Sequence, residues 1–250
     1  MAAPKGSTLL EIVNMVARSV GHPLTTSVPT SQDEAIQRLQ YYANLACTQL
    51  TYMANWQILS KTCVLEIVAD TADQREKAFP LPLDFKAMTD DTHWNRSTQL
   101  PAVGPVNAQD WQWLVVRNAK ITTRFLWRIR DGMLWVKSPP PPGSPQPLSF
   151  EYTSKYWAVS GDTGEGIEGM ESDEDYHVFN PQMVILYTRA KWFENEGYDA
   201  SAAFADFQKS FLYESGTDKG ATSLSIVPGM GYPYINAIRN IPDTGYGSAY

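Results

Sequence analysis

The side chains that usually carry catalysis are few in this sequence and lie far apart. Its three histidines, His22, His93 and His177, have none of the i, i+3 or i, i+4 spacings at which a helix binds one metal ion. The two cysteines, Cys47 and Cys63, form no metal or redox motif, which predicts two reduced thiols. The sequence has no Gly-x-Ser-x-Gly motif, and no glycine-rich loop precedes a Lys-Ser or Lys-Thr pair. We therefore expect a protein that is not an enzyme and that has no metal site and no cofactor.

Carboxylates, by contrast, are concentrated in one segment. Seven acids and no base lie between Asp162 and Asp175. Their spacing does not match an EF-hand, so a solvated acidic loop is favoured over a looser oxygen-ligand calcium site. Paired carboxylates are also the machinery of glycoside hydrolases, but an abundance of acids does not specify such a pair. We predict a solvated acidic loop whose members include Asp162, Glu165, Asp173, Glu174 and Asp175.

The charge of the whole chain excludes other classes of function. The 250 residues carry 20 basic and 27 acidic side chains, and outside the acidic segment the two counts are equal. Because general nucleic-acid binders carry a basic excess, that class is disfavoured. No apolar run approaches the roughly 20 residues that span a bilayer, and residues 1–7 lack the apolar stretch of a signal peptide. The sequence predicts a soluble protein made in the cytoplasm, with enough apolar residues (43%) for a large core.

The strongest local pattern is a β-hairpin that carries basic and aromatic side chains. Asp131-Gly132 is typical of a type I′ turn, and it sets apolar residues opposite each other: Ile129 and Leu134, Trp127 and Val136. On the other face Arg128 lies opposite Trp135, which favours a cation–π contact. Such strands also occur in proteins that bind single-stranded nucleic acid, but an acidic neighbouring subunit is an equally good partner. We predict that Arg128, Arg130 and Trp135 form an interface with another subunit.

Two helices are predicted on each side of a strand-rich middle. Capping boxes at Thr8–Glu11 and Ser31–Glu34 begin the N-terminal helices. Asn180-Pro181 and Asp199 begin the C-terminal helices. Neither pair is long enough to bury a core alone, so we expect all four helices to pack together.

These patterns predict an α+β fold with a four-helix bundle core made from the N- and C-terminal helices (7–55 and 180–214). In the middle, Cys63, Leu65 and Ile67 alternate with more polar residues as a strand does, and a later strand runs from about Leu148 to Tyr156. The strands form an inserted antiparallel β lobe (56–157). An acidic loop (158–179) and an extended C-terminal arm (215–250) complete the predicted organisation.

The C-terminal arm differs in composition from the rest of the chain. Residues 215–250 are rich in glycine, proline and tyrosine and contain one short strand-like run, Ser223 to Val227. A segment of this composition cannot bury enough surface to fold by itself. A frayed terminus is one interpretation. We favour a second, in which apolar side chains anchor a partner: Ile226, Tyr232, Tyr234, Ile235, Ile238, Ile241 and Tyr246.

Four stretches, taken in order, resemble a known family. They are Phe79–Phe85, the hairpin Trp127–Trp135, Phe150–Trp157 after a proline run, and a last stretch that joins Asp173–Asp175, Phe179–Trp192 and Gly197–Asp199. Together they resemble the head-to-tail adaptor proteins of tailed bacteriophages, including the tail tubular protein A group of short-tailed phages. The resemblance spans residues 8–213, and the C-terminal arm aligns with no motif of the family.

The resemblance implies a structural virion protein. Adaptors of this family form a ring of twelve subunits under the portal, extend the DNA channel and provide a docking platform for the tail or nozzle. They have no cofactor in common. The implied partners are therefore the portal protein, a tail or nozzle protein, other copies of this chain, and genomic DNA that passes without sequence recognition. No membrane is implied, and the arm becomes the portal-binding segment. The acidic loop becomes a channel or interface loop, and the hairpin residues Arg128, Arg130 and Trp135 become a subunit or tail interface. The protein then belongs to the neck of a virion assembled in the host cytoplasm.

Two other classes stay open at this point. A deep cleft lined with tryptophans and two facing acids would favour a carboxylate-based glycan hydrolase of a phage particle. A flat tryptophan platform on the β lobe would favour a carbohydrate-binding module, since the chain has eight tryptophans.

Overall fold

The computed structural model describes residues 6–116 and 124–218. Within these ranges the chain forms five α-helices: α1 (Leu9–Val20), α2 (Glu34–Met53), α3 (Ala108–Val116), α4 (Pro181–Asn195) and α5 (Ser201–Asp218). A short 3-10 helix, Gln57–Leu59, follows α2.

The helices begin at residues that cap their free N–H groups. The predicted capping box of α1 is confirmed, because Thr8 and Glu11 each accept the backbone N–H of the other. Asn180 caps α4 as predicted, by accepting the N–H groups that follow Pro181. The predicted capping box of α2 is wrong. Asp33 is the N-cap of that helix, and the Ser31 hydroxyl accepts the N–H of Asp33 outside it.

The strands of the described ranges form three antiparallel sheets. The largest contains β1 (Ser60–Ile67), β3 (Phe85–Met88), β4 (Trp94–Asn95), β5 (Leu100–Pro101) and β8 (Gln146–Ser154). The second contains β2 (Glu76–Pro80), β6 (Leu126–Arg130) and β7 (Met133–Lys137). The third is small and contains β9 (Ala158–Val159), β10 (Gly166–Ile167) and β11 (Tyr176–His177).

The two larger sheets enclose a core of their own. β1 pairs with β8 along its whole length, and alternate residues of β8 (Leu148, Phe150 and Tyr152) are buried, as the sequence predicted. They pack with apolar residues of the hairpin sheet, among them Trp127 and Val136. The β lobe therefore has a core separate from that of the helices.

The predicted four-helix bundle core is wrong; the chain agrees only with the broader α+β class. α1, α2 and α4 pack on one another, whereas α5 packs mainly on α4 and adds Phe207 to the shared core. The core of this helical layer also contains residues from outside the helices: Val28, Trp56, Leu59, Trp157, Ala158, Met170 and Phe179. A loop, the small sheet and the connection to β1 thus form part of the core together with the helices.

Candidate functional site

The predicted hairpin is formed by β6 and β7. Both turn residues have positive φ angles, 54° for Asp131 and 69° for Gly132, as a type I′ turn requires. The predicted register is confirmed on both faces, including Arg128 opposite Trp135. β7 pairs on its other side with β2, so the hairpin is the outer part of a three-stranded sheet.

The three residues predicted as a subunit or tail interface lie on one face of this sheet, and all are half-buried. The guanidinium of Arg130 lies 3.9 Å from the ring centroid of Trp135, and that of Arg128 lies 5.6 Å from the ring centroid of Trp111. The predicted cation–π contact between Arg128 and Trp135 is therefore wrong. Arg128 contacts Trp111 instead, because α3, a helix that was not predicted from the sequence, places Trp111 near Arg128.

α3 is held against the sheet by Trp111, which is fully buried. The Trp111 indole N–H donates to Glu76 Oε2 at 2.7 Å. Asn107 accepts the backbone N–H of Asp110 at 2.8 Å, and this Asn-x-x-Asp spacing is the capping signal that could have predicted the helix. Lys137, opposite Glu76 in the sheet, is 1% exposed, and its ammonium has no hydrogen-bond partner in the described ranges. The basic face of the sheet is therefore partly buried at this end, and this burial lowers the pKa of Lys137.

The structure divides the five acids of the predicted acidic loop into two groups. Asp162, Glu165 and Glu174 are exposed, and no ion pair within the described ranges involves them. Asp173 and Asp175 are used within the fold. The Asp173 carboxylate accepts the backbone N–H of Val28 at 2.8 Å, which joins this segment to the loop after α1.

Asp175 is the more deeply buried of the two, with 3% of its surface exposed. Its carboxylate accepts the backbone N–H groups of Gly161, Glu171 and Ser172 at 3.1, 2.9 and 2.7 Å. Burial opposes ionisation of this group, but the three hydrogen bonds outweigh it and hold the pKa of Asp175 below its ordinary value. Asp175 is therefore a structural residue and does not belong to the exposed acidic surface.

A second buried carboxylate, which the sequence analysis did not single out, belongs to Asp84. Its Oδ2 accepts the ammonium of Lys61 at 2.6 Å and the hydroxyl of Ser154 at 2.7 Å, and its Oδ1 accepts the hydroxyl of Tyr152 at 2.8 Å. Burial opposes ionisation, but these hydrogen bonds outweigh it, so the pKa of Asp84 is lowered. The cluster fastens the loop before β3 to β1 and β8. The sequence feature that could have identified Asp84 is its position in the apolar, proline-rich run Phe79–Phe85, where a charged side chain needs buried partners.

A shallow groove crosses the β lobe where it meets the end of α2. Two cavities, of about 320 and 260 Å³, share Met88 and Asp90 as walls. Trp127 lines the first, while Trp56 and Glu151 line the second. Two carboxylates thus border one groove, as the glycan-hydrolase alternative requires.

Other properties of the groove disfavour that alternative. Asp90 and Glu151 are both exposed, whereas apolar surroundings usually keep the general acid of a glycosidase protonated. Trp56 and Trp127 are at most 5% exposed, so neither offers a ring face to a sugar. The groove therefore has the residue types of a glycosidase cleft without their usual environment.

The histidines lie in three different surroundings. The ring of His22 meets that of Trp192 at 5.2 Å, and His93 lies 4.4 Å from Trp127. His177 is fully buried on β11. In the described part of the chain, no group of three or more histidine, cysteine or acidic side chains could hold a metal ion. No helix there is long and apolar enough to cross a membrane.

The predicted partner-binding arm lies beyond Asp218 and so outside the described residues: Ile226, Tyr232, Tyr234, Ile235, Ile238, Ile241 and Tyr246. No protein-family model matches this chain, and no curated protein matches it in sequence.

Proposed function

We propose that the protein is a structural virion protein, a subunit of the head-to-tail adaptor ring under the portal of a tailed bacteriophage. The observation that carries this proposal is the ordered set of four sequence stretches that resemble such adaptors. Residues of these stretches also determine the fold: Asp84 organises the β lobe, Asp131-Gly132 turns the hairpin, Asp175 orders the acidic segment and Asn180 begins α4. In this role the chain catalyses no reaction and needs no cofactor.

The hairpin face is one of the two faces that a ring subunit requires. Each subunit of a cyclic assembly presents two different surfaces, one to each neighbour. Arg130 stacked on Trp135 is a half-buried pair of the residue types that dominate binding energy at interfaces. In a neighbouring copy, the exposed carboxylates of the acidic segment offer this basic face a surface of opposite charge.

The acidic segment also suits a DNA channel. Asp162, Glu165 and Glu174 are exposed carboxylates without ion-pair partners in the described ranges. On the channel wall they repel the phosphates of the passing genome and so limit binding to it. In this arrangement the DNA passes without sequence recognition, the C-terminal arm binds the portal, and the tail or nozzle docks on the opposite side. Twelve subunits, assembled in the host cytoplasm, then form part of the neck of the virion.

Mixing experiments with the portal protein test this function. Mass photometry of the chain with purified portal is expected to show a complex that neither protein forms alone. Arg130→Glu is expected to weaken the assembly of chains into a ring on the portal at least about tenfold, because it removes the stacked guanidinium from the face that contacts a neighbouring copy and reverses its charge. Lys209→Glu makes the same charge change on exposed α5 and should leave the complex intact. A wild-type chain that never associates with the portal would contradict the proposal.

A further inference from the structure

One strand of the β lobe has an edge that no described residue covers. β1 lies at the end of its sheet and, within residues 6–116 and 124–218, pairs with β8 alone. With eight residues it is longer than the usual strand of five or six. An open edge of this length is a template for another strand, and natural proteins usually cover it.

The register shows which backbone groups lie on this edge. On the far side of β8, the Thr89 N–H donates to the Glu151 carbonyl at 2.9 Å, so the odd-numbered residues of β8 bond away from β1. The even-numbered residues of β8 therefore bond to β1, where their partners have odd numbers. This leaves the N–H and C=O groups of Thr62, Val64 and Glu66 on the open edge.

The described chain ends close to the start of β1. Asp218 is the last residue of α5, and its Oδ2 accepts the backbone N–H of Gln57 at 2.7 Å. Gln57 lies three residues before Ser60, where β1 begins. Because an extended residue spans about 3.3 Å, a few residues after Asp218 suffice to reach the edge.

A strand-like sequence follows at the appropriate distance. Ser223–Val227 reads SLSIV, in which Leu224 and Ile226 alternate with serines, and the run carries no charge. Four residues separate it from Asp218. Pro228 comes directly after it, and a proline has no N–H with which to continue a ladder.

We propose that the open edge of β1 binds residues 223–227 of the same chain as an added, parallel strand. The direction follows from the path of the chain, which passes Gln57 and then runs along β1 from Ser60 towards Ile67. Main-chain hydrogen bonds hold the added strand. The pairing covers the edge and takes Ile226 out of the predicted partner-binding set, whose other members all lie in the last part of the chain, 229–250. This inference does not depend on the proposed function.

Amide hydrogen exchange on the full chain, followed by NMR, tests the proposal. The amides of Thr62, Val64 and Glu66 are expected to exchange at least about tenfold more slowly in the wild type than in the double variant Ser225→Pro/Ile226→Pro, which loses a bonding N–H whichever alternate residues face β1. The amide of Leu65 bonds to β8 and should be equally protected in both proteins. Thr244→Pro, outside the run, should leave every rate unchanged.

Three results would overturn the proposal. Rapid exchange of Thr62 and Val64 in the wild type would show that the edge is open. Protection that rises with protein concentration would assign the added strand to a second copy of the chain. Protection that appears only after portal protein is added would assign it to that complex.

Discussion

Acidification is a quantitative test of how the small sheet packs against the helical layer. His177 on β11 is fully buried, and neither ring nitrogen makes a well-formed hydrogen bond to a described residue. Burial lowers the pKa of His177 to about 4, and only the backbone of Phe179 opposes this shift. In the unfolded chain the imidazole has its ordinary pKa of 6.5.

The direction of the effect follows from these two values. The unfolded chain binds the proton more readily than the folded chain. The free energy of unfolding is therefore highest above pH 6.5 and decreases as the pH falls towards 4. Each pKa unit corresponds to about 1.4 kcal/mol, so protonation of His177 lowers the free energy of unfolding by about 3 kcal/mol in full. About 2 kcal/mol of this decrease has occurred at pH 5. Asp84 and Asp175 do not contribute in this window, since their pKa values lie below 3.8.

The variant His177→Leu removes the titrating group without removing a well-formed hydrogen bond. Urea titrations give the free energy of unfolding at pH 7.5 and pH 5. We expect it to fall between these two pH values by about 2 kcal/mol less in His177→Leu than in the wild type. His93, whose pKa burial also lowers, accounts for part of the remaining fall. Ile36→Val on α2 is a buried change without a titratable group and should weaken the protein equally at both pH values. An unchanged pH dependence in His177→Leu would refute the reasoning.

Three further predictions concern stability and use the same urea titrations. Asp84→Asn should cost about 2–3 kcal/mol because it leaves a lysine and two hydroxyls without their buried carboxylate, whereas Asp70→Asn, in an exposed ion pair, should have a much smaller effect. Asp175→Ala should cost about 2–3 kcal/mol by leaving three N–H groups unpaired, and exposed Glu174→Gln should cost under about 0.5 kcal/mol. Equal effects within either pair would contradict the assigned role. Thr8→Ala should cost about 1 kcal/mol through loss of the α1 cap, and no loss would contradict that cap.

Local sequence patterns predicted the elements whose causes are local. The capping box that begins at Thr8, the turn at Asp131-Gly132 and the helix start at Asn180 each depend on residues within four positions of one another. The alternation in β1 and β8 likewise identified the buried face of each strand. These parts of the fold could be predicted because their determinants are adjacent in the chain.

The remaining features depend on contacts between distant segments. A helix stripe shows that a face is buried but not what covers it, so Trp157 and Met170 could not be foreseen in the helical core. Asp175 is one of seven neighbouring acids, and only its approach to the Gly161 N–H distinguishes it. Arg128 contacts Trp111 and not the predicted Trp135, because α3 brings Trp111 to the hairpin from another part of the chain.

Electron-microscope images of the purified chain mixed with its portal protein test the central claim most directly. The account predicts a ring coaxial with the portal that contains about twelve copies of the 28.0 kDa chain. A chain that stays monomeric with every virion partner, yet degrades peptidoglycan or another polysaccharide, would contradict it and restore the enzyme alternative.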